Sequence, residues 1–351
     1  MEIGSWWLIG LASSLAFIWL VMCCGIGGMA HRLVNEFTHS HVVLDKDQFN
    51  WEMPRAEPEP EAQFQRPLTF ETVDGKHLYG EFWAQPSPAP TIVLCHGFRI
   101  PQVYFHPVAA LEYRTGYNVF LFDFRGHGQS DRSIISGGNM EVRDLEAAIG
   151  AALQQPETLP GKLALHGFSM GAAVSLLMPP HPHVAGIIAD SPYARLDTIL
   201  QRLVCVRLNE ASASWFARFH WLRGLFPTLA WATVLMSRLD FRVRFGSPLV
   251  ARPERSMKQW AKAAQRGGQP HPPAILLIHS VDDDYIPFSH AKRLVAQAHA
   301  FHIPLETYIV QQATHGGAYG QDPEHYAALL EHFLVQQMGK SALPSAHQGE
   351  R

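Results

Sequence analysis

The sequence predicts an α/β protein with a mostly parallel central sheet, helices on both of its faces, a helical insertion and a separate apolar helix in front. Three observations carry this. Short apolar runs alternate with segments of helical period between residues 91 and 338, which is how a parallel sheet with crossover helices is written. Gly167-Phe168-Ser169-Met170-Gly171 joins the run Leu163-Ala164-Leu165-His166 to an alanine-rich helix start. No charged side chain occurs from Trp6 to Ala30.

Composition limits the alternatives. A chain of 351 residues holds one large domain with an appendage or two modest ones. A formal net charge of −3 gives no reason to expect a nucleic-acid partner. The four cysteines suggest neither a disulfide framework nor metal-ligand spacing, since Cys23 and Cys24 are adjacent and Cys95 and Cys205 far apart. The 20 histidines are scattered without an H-E-x-x-H pair, so neither a metal nor an organic cofactor is expected.

In chain order, residues 1–31 read as a transmembrane anchor, because 25 uncharged residues at about 1.5 Å each span a hydrocarbon core. A cleaved signal peptide ending near Gly28-Met29-Ala30 fits less well: its apolar part would be too long, and Glu2 stands where Lys or Arg belongs. Arg32 and Lys46 follow the span, so the positive-inside tendency puts the bulk of the chain in the cytoplasm. Residues 32–67 form a polar linker, Pro- and Glu-rich from Met53 to Glu61. The domain proper is expected over residues 68–338. Thr69 to Val73 and His77 to Trp83 flank Asp74-Gly75 as a hairpin. Strands follow at Thr91–Cys95, Tyr117–Asp123, Leu163–His166, Val184–Ala189, Ala274–His279 and Leu305–Val310, with helices at Met140–Leu153, Ser289–His299 and Pro323–Met338. Residues 339–351 read as a disordered tail.

The alternation stops between about residues 193 and 257. This stretch reads as a helical cap, most apolar from Trp215 to Phe226. From Ser191 to Arg255 it holds ten Arg and no Lys against two Asp and two Glu. Two readings fit: an ordinary cap with solvated arginines, or a cap lying against lipid headgroups.

Ser169 is the candidate nucleophile. A serine between a strand and a helix, with glycines two residues to either side, sits on a sharp turn that presents its hydroxyl above the sheet. Such a serine needs a base, and the base needs an orienting acid, supplied in the order Ser, Asp, His by loops after later strands. His315, just beyond the last strand, is the expected base. The acid lies among Asp282, Asp283 and Asp284 after the Ala274–His279 strand, with Asp190 as a further candidate.

His96-Gly97-Phe98, Asp123-Phe124-Arg125-Gly126-His127-Gly128-Gln129-Ser130, Gly167 to Gly171, His279 to Pro287 and Thr314-His315-Gly316-Gly317 together resemble the α/β-hydrolase fold superfamily. Within it the chain is similar to the serine-peptidase-like, membrane-anchored branch that includes the fission-yeast bud-emergence-related hydrolases. The resemblance covers about residues 68–338 and implies the α/β-hydrolase fold. It selects Asp283 as the acid by its distance from a His-Gly pair and a Val/Ile-Pro pair, with Ser280 replacing the usual glycine. It also implies oxyanion donors at the backbone N–H groups of Phe98 and Met170. The loop lacks the extra glycines of HGGG-type lipases, which disfavours bulky branched substrates. His96, His127, His166 and His279 are expected to be structural.

The expected function is a membrane-anchored serine hydrolase that cleaves an ester, thioester or small amide of a small-molecule or lipid-like acyl substrate. The expected partner is a membrane, through residues 6–30 and the cap. A peptidase acting on short peptides, an acyltransferase and a non-catalytic binding module are the alternatives.

Overall fold

The computed structural model describes residues 3–38, 58–212, 220–266 and 271–339. In chain order the elements are α1 (Ile3–Thr38), β1 (Gln65–Glu71), β2 (His77–Trp83), β3 (Ala89–Cys95), α2 (His106–Arg114), β4 (Asn118–Phe122), α3 (Glu141–Leu153), β5 (Thr158–Phe168), α4 (Met170–Leu177), β6 (Val184–Asp190) and α5 (Leu196–Ser212). Then come α6 (Phe226–Phe245), α7 (Pro253–Gln265), β7 (Ala274–Ser280), α8 (Ser289–Ala300), β8 (Leu305–Val310), α9 (Ala318–Gln321) and α10 (Pro323–Met338). Residues 39–57, 213–219 and 340–351 lie outside the described residues, which removes most of the linker, part of the cap and the tail from structural comment.

The chain divides into two compact units, one of residues up to Thr38 with Asp197–Leu249, the other of the remainder. The larger unit is an α/β-hydrolase fold around an eight-stranded sheet in the order β1-β2-β4-β3-β5-β6-β7-β8. Strands β1 and β2 form the expected antiparallel hairpin, and β2 meets β4 antiparallel. From β4 to β8 every pair is parallel. Residues of β3 and β4 are buried throughout, because helices cover both sheet faces and leave no side of the strand for polar residues. One core layer joins Ile92, Leu94, Leu121, Ile188 and Leu276 to Leu330 and Phe333 of α10.

Local chemistry explains the element ends. At the hairpin, Gly75 takes φ 74°, and Thr72 N donates to Lys76 O at 2.9 Å. α10 starts with Pro323 after Asp322, whose side chain accepts from His325 N at 3.0 Å. Some features go beyond the sequence reading. Helix α2 was not anticipated, and β5 begins at Thr158, five residues early, with an irregularity between Leu163 and Ala164 where its pairing to β6 shifts.

The smaller unit combines α1 with α5 and α6. α1 runs past Ala30 to Thr38 because Ala30, Leu33, Val34 and Phe37 form one buried stripe at helical spacing. Ser237 Oγ donates to Ala30 O at 3.4 Å, and Arg207 grips Glu36 through two bonds of 2.6 and 2.9 Å. This unit ends at Leu249, after Gly246 closes α6 at φ 67°. α7 belongs to the larger unit and buries Pro253, Ser256, Met257 and Trp260 at i, i+3, i+4 and i+7.

Candidate active site

The functional loops all leave the carboxyl ends of parallel strands, the edge at which doubly wound sheets carry their sites. Ser169 stands between β5 and α4 with φ 53° and ψ −108°, a conformation that costs roughly 1–3 kcal/mol for a residue with a side chain. Its neighbours make this turn feasible. A Cβ on Gly171 would lie 2.2 Å from Cys95 O, and one on Gly167 would lie 2.5 Å from the Gly171 carbonyl and Ala172 N. The helix can therefore pass against β3 and turn back on β5 only with glycine at both positions. Ser169 N donates to Asp190 O at 2.8 Å, which ties the strained turn to the end of β6.

Ser169 Oγ lies 2.8 Å from His315 Nε2, and His315 Nδ1 lies 2.7 Å from Asp283 Oδ2. The direction of the chain follows from the carboxylate. Asp283 accepts from Tyr285 N at 2.9 Å and Ile286 N at 2.7 Å through Oδ1. Burial raises its pKa, but the His315 hydrogen bond and charge, with the Ile286 N–H, outweigh that and hold it below the usual carboxylate range. An ionised Asp283 only accepts, so Nδ1 carries the proton and Nε2 accepts from the serine hydroxyl. His315 and Asp283 are largely withdrawn from solvent, at 7% and 6% exposure, while Ser169 is half-buried. The arrangement can draw a proton from Ser169 and hold the resulting imidazolium.

Donors for a developing oxyanion are also nearby. Met170 is the first residue of α4, so its N–H has no intrahelical acceptor and stands at the positive end of the helix. The Gly97-Phe98 loop after β3 runs alongside, since a Cβ on Gly97 would lie 3.6 Å from Ser169 Cβ. Two buried histidines hold this loop. His96 Nε2 accepts from Phe124 N at 2.9 Å while Nδ1 donates to Gly97 O at 2.7 Å. His127 Nε2 accepts from Arg99 N at 2.9 Å while Nδ1 donates to Arg125 O at 3.0 Å. Burial pushes their pKa values down to about 4 and about 3, so both are neutral struts rather than bases. Asp123 completes the brace by accepting from Gln102 N at 2.8 Å and Gln129 N at 3.0 Å.

Residues 86–316 match the serine aminopeptidase S33 family. The chain belongs to that family. The Bacillus subtilis protein YqkD is 29% identical over 264 residues, 74% of this chain and 76% of its own length. Rat monoglyceride lipase is 32% identical over 125 residues, which cover 34% of this chain and 40% of that protein. In structure the chain is similar to the Pyrococcus furiosus esterase Pf2001, with a TM-score of 0.58 and 21% identity over 82% of this chain and 99% of that one. At that identity the likeness speaks for the fold alone.

Two of the other acid candidates are engaged elsewhere. Asp282 accepts from Gln312 N at 2.8 Å, and Asp190 faces Ser191 Oγ at 2.8 Å and Tyr326 OH at 3.1 Å. His166 pairs with Glu112, and His279 Nε2 donates to Ile286 O at 2.9 Å. Two serines that the sequence left without a role bind the loops together. Ser280, the departure from the usual glycine, donates to Ala313 O at 2.6 Å and so ties the Asp283 loop to the His315 loop. Ser191, itself at φ 53°, accepts from Gly316 N at 3.1 Å. Their only advance signal was position at strand ends.

Proposed function

We propose that this S33-family member is a membrane-anchored serine hydrolase that cleaves an ester, thioester or small amide through an acyl-enzyme. The observation that carries the reading is the unbroken chain Ser169–His315–Asp283, with Ser169 held in a strained turn. His315 takes the Ser169 proton as Oγ attacks the acyl carbon and returns it to the leaving group. Asp283 keeps the imidazole in the tautomer that accepts from serine. The N–H groups of Met170 and Phe98 receive the oxyanion, where loss of one donor costs about 3 kcal/mol. Water then attacks the acyl-enzyme with His315 as base.

Acyl substrates of lipid or small-molecule type are favoured by the local similarity to monoglyceride lipase and to the Arthrinium phaeospermum thiohydrolase ApmlB, 31% identical over 130 residues. Position supports the same choice: the uncharged stretch Trp6–Ala30 is read as an uncleaved anchor, and Arg32 beyond it favours a cytoplasmic hydrolase domain. The family description favours a second reading, cleavage of short peptides from the amino end.

Labelling of detergent-solubilised protein by a fluorophosphonate, compared with Ser169→Ala and His315→Ala, tests the mechanism. Labelling of the wild type alone is expected; equal labelling of Ser169→Ala refutes the assignment. Rates on p-nitrophenyl acyl esters of increasing chain length against aminoacyl p-nitroanilides decide between the two substrate classes.

A further inference from the structure

Helix α6 is apolar on two opposite sides. Phe226, Ala230, Val234, Ser237 and Phe241 lie on its buried side. On the other side, Trp231 is 56% exposed, Leu235 39%, Leu239 51% and Val243 84%, four residues spaced by one turn, with Met236 beside them. A water-facing side of a helix carries polar residues, and a continuous exposed apolar stripe marks a contact surface.

The register between α6 and α1 indicates what covers it. The two helices run side by side in the same direction: Ser237 Oγ reaches Ala30 O, His31 lies 3.9 Å from Asp240, and Arg244 donates to Asn35 Oδ1 at 3.2 Å. α1 carries no charge up to Ala30 and then presents Arg32 and Glu36. α6, with the two residues before it, carries none from Gly224 to Ser237 and then presents Arg238, Asp240, Arg242 and Arg244. Charge therefore begins at one common level in both helices. On the uncharged side of that level α1 exposes Leu11, Leu15, Phe17, Trp19, Leu20 and Val21, and α6 exposes Trp231, Leu235 and Met236.

We infer that α6 enters the bilayer beside α1, with lipid acyl chains covering Trp231, Leu235 and Met236 and the water boundary near Ala30 and Ser237. Arg238, Arg242 and Arg244 then stand at the level of anionic headgroups. Phe226–Ser237 measures about 18 Å along the axis, too short to cross a core of about 30 Å, so the insertion is partial. The smaller unit is thus held in the membrane by two helices. This inference rests on the anchor reading of α1.

The test uses the full chain in phosphatidylcholine–phosphatidylglycerol vesicles, with Cys23→Ala, Cys24→Ala and Cys205→Ser removing the accessible thiols; Cys95 is buried. Single spin labels are placed at Leu15→Cys, Leu235→Cys and, as a water-exposed control on the larger unit, Val73→Cys. Circular dichroism confirms that each variant is folded. Collision with oxygen should exceed collision with a water-soluble nickel chelate at positions 15 and 235, with the order reversed at 73. If position 235 behaves like 73 while 15 stays in lipid, α6 lies in water and the inference falls alone. If 235 is shielded from both reagents, protein covers the stripe and the inference again falls. If 15 also behaves like 73, the anchor reading falls with it.

Discussion

Replacing Asp283 by Asn separates the orienting acid from every other carboxylate around the site. Asn fits the same space and its carbonyl can still accept from Tyr285 and Ile286, so the 281–287 turn is kept. What changes is the atom facing His315 Nδ1 at 2.7 Å, which becomes an N–H donor. Nδ1 must then accept, its proton moves to Nε2, and Nε2 meets Ser169 Oγ as a donor that cannot take the hydroxyl proton. Loss of the correct tautomer in such a triad costs about 10⁴-fold in turnover, or about 5 kcal/mol in the barrier. The assay is kcat/KM on a p-nitrophenyl ester, with thermal unfolding as the control for fold. We expect a loss near four orders of magnitude for Asp283→Asn with little change in melting temperature. Asp282→Asn, which disturbs only the contact to Gln312 N, should retain activity within about tenfold of wild type, a barrier change of at most ~1.4 kcal/mol. The opposite ranking, or an active Asp283→Asn, would refute both the tautomer argument and the choice of acid.

Three further outcomes follow from the packing. Gly171→Ala sets a methyl 2.2 Å from a backbone carbonyl that cannot move without shifting β3, and should lower unfolding stability by about 3 kcal/mol in denaturant titration. Arg125, buried between Asp74 and Asp144 with bonds of 2.7–2.9 Å, anchors the hairpin turn to α3. Arg125→Met should cost about 3–5 kcal/mol by stranding Asp144, and Asp144→Leu in the same chain should restore much of it in a double-mutant cycle. Asp190 has its pKa raised to about 6, by burial above all. Its folded value exceeds its unfolded one, so its contribution is most favourable below the unfolded pKa and is lost as pH rises through about 6. The melting temperature of Asp190→Asn relative to wild type should therefore climb between pH 4 and pH 7 in a series of thermal melts; a flat difference would refute the raised value.

Local chemistry made most of the parallel sheet legible. The hairpin at Asp74-Gly75, the buried runs of β3 and β4 and the glycine-flanked serine each state their conformation in a few adjacent residues. The meeting of Ser169, Asp283 and His315 was readable because each lies in the loop that follows a parallel strand, while Asp283 among three adjacent aspartates needed the resemblance. Helix α2 was not readable, since its first turn holds His106 and Pro107 and its buried Glu112 hides an apolar pattern. The extension of α1 beyond Ala30 was equally hidden: Leu33, Val34 and Phe37 are buried beside charged neighbours, in a unit whose other helices lie far along the sequence. Ser191 and Ser280 act through hydrogen bonds to loops more than thirty residues away, which no local pattern reveals.

These two serines bear on how the site stays assembled. The three principal side chains sit on three separate loops, and each loop is restrained by different chemistry. Ser169 is fixed sterically, because Gly167 and Gly171 admit only one path for the chain. Asp283 is fixed by the N–H groups of its own turn. His315 lies in a turn closed by Gly317 N donating to Thr314 O at 3.0 Å, and its loop is also held from outside, at Ala313 by Ser280 and at Gly316 by Ser191. Each neutral hydrogen bond is worth about 1 kcal/mol in stability, yet a 1 Å displacement of a base can cost far more in rate. Ser191 in turn donates to Asp190, whose other oxygen accepts from Tyr326 of α10. The position of His315 is thereby coupled to a buried polar network below the sheet edge. Changes at Ser191 or Tyr326 should accordingly appear in kcat well before they appear in folding, whereas changes at Gly171 should act in the reverse order.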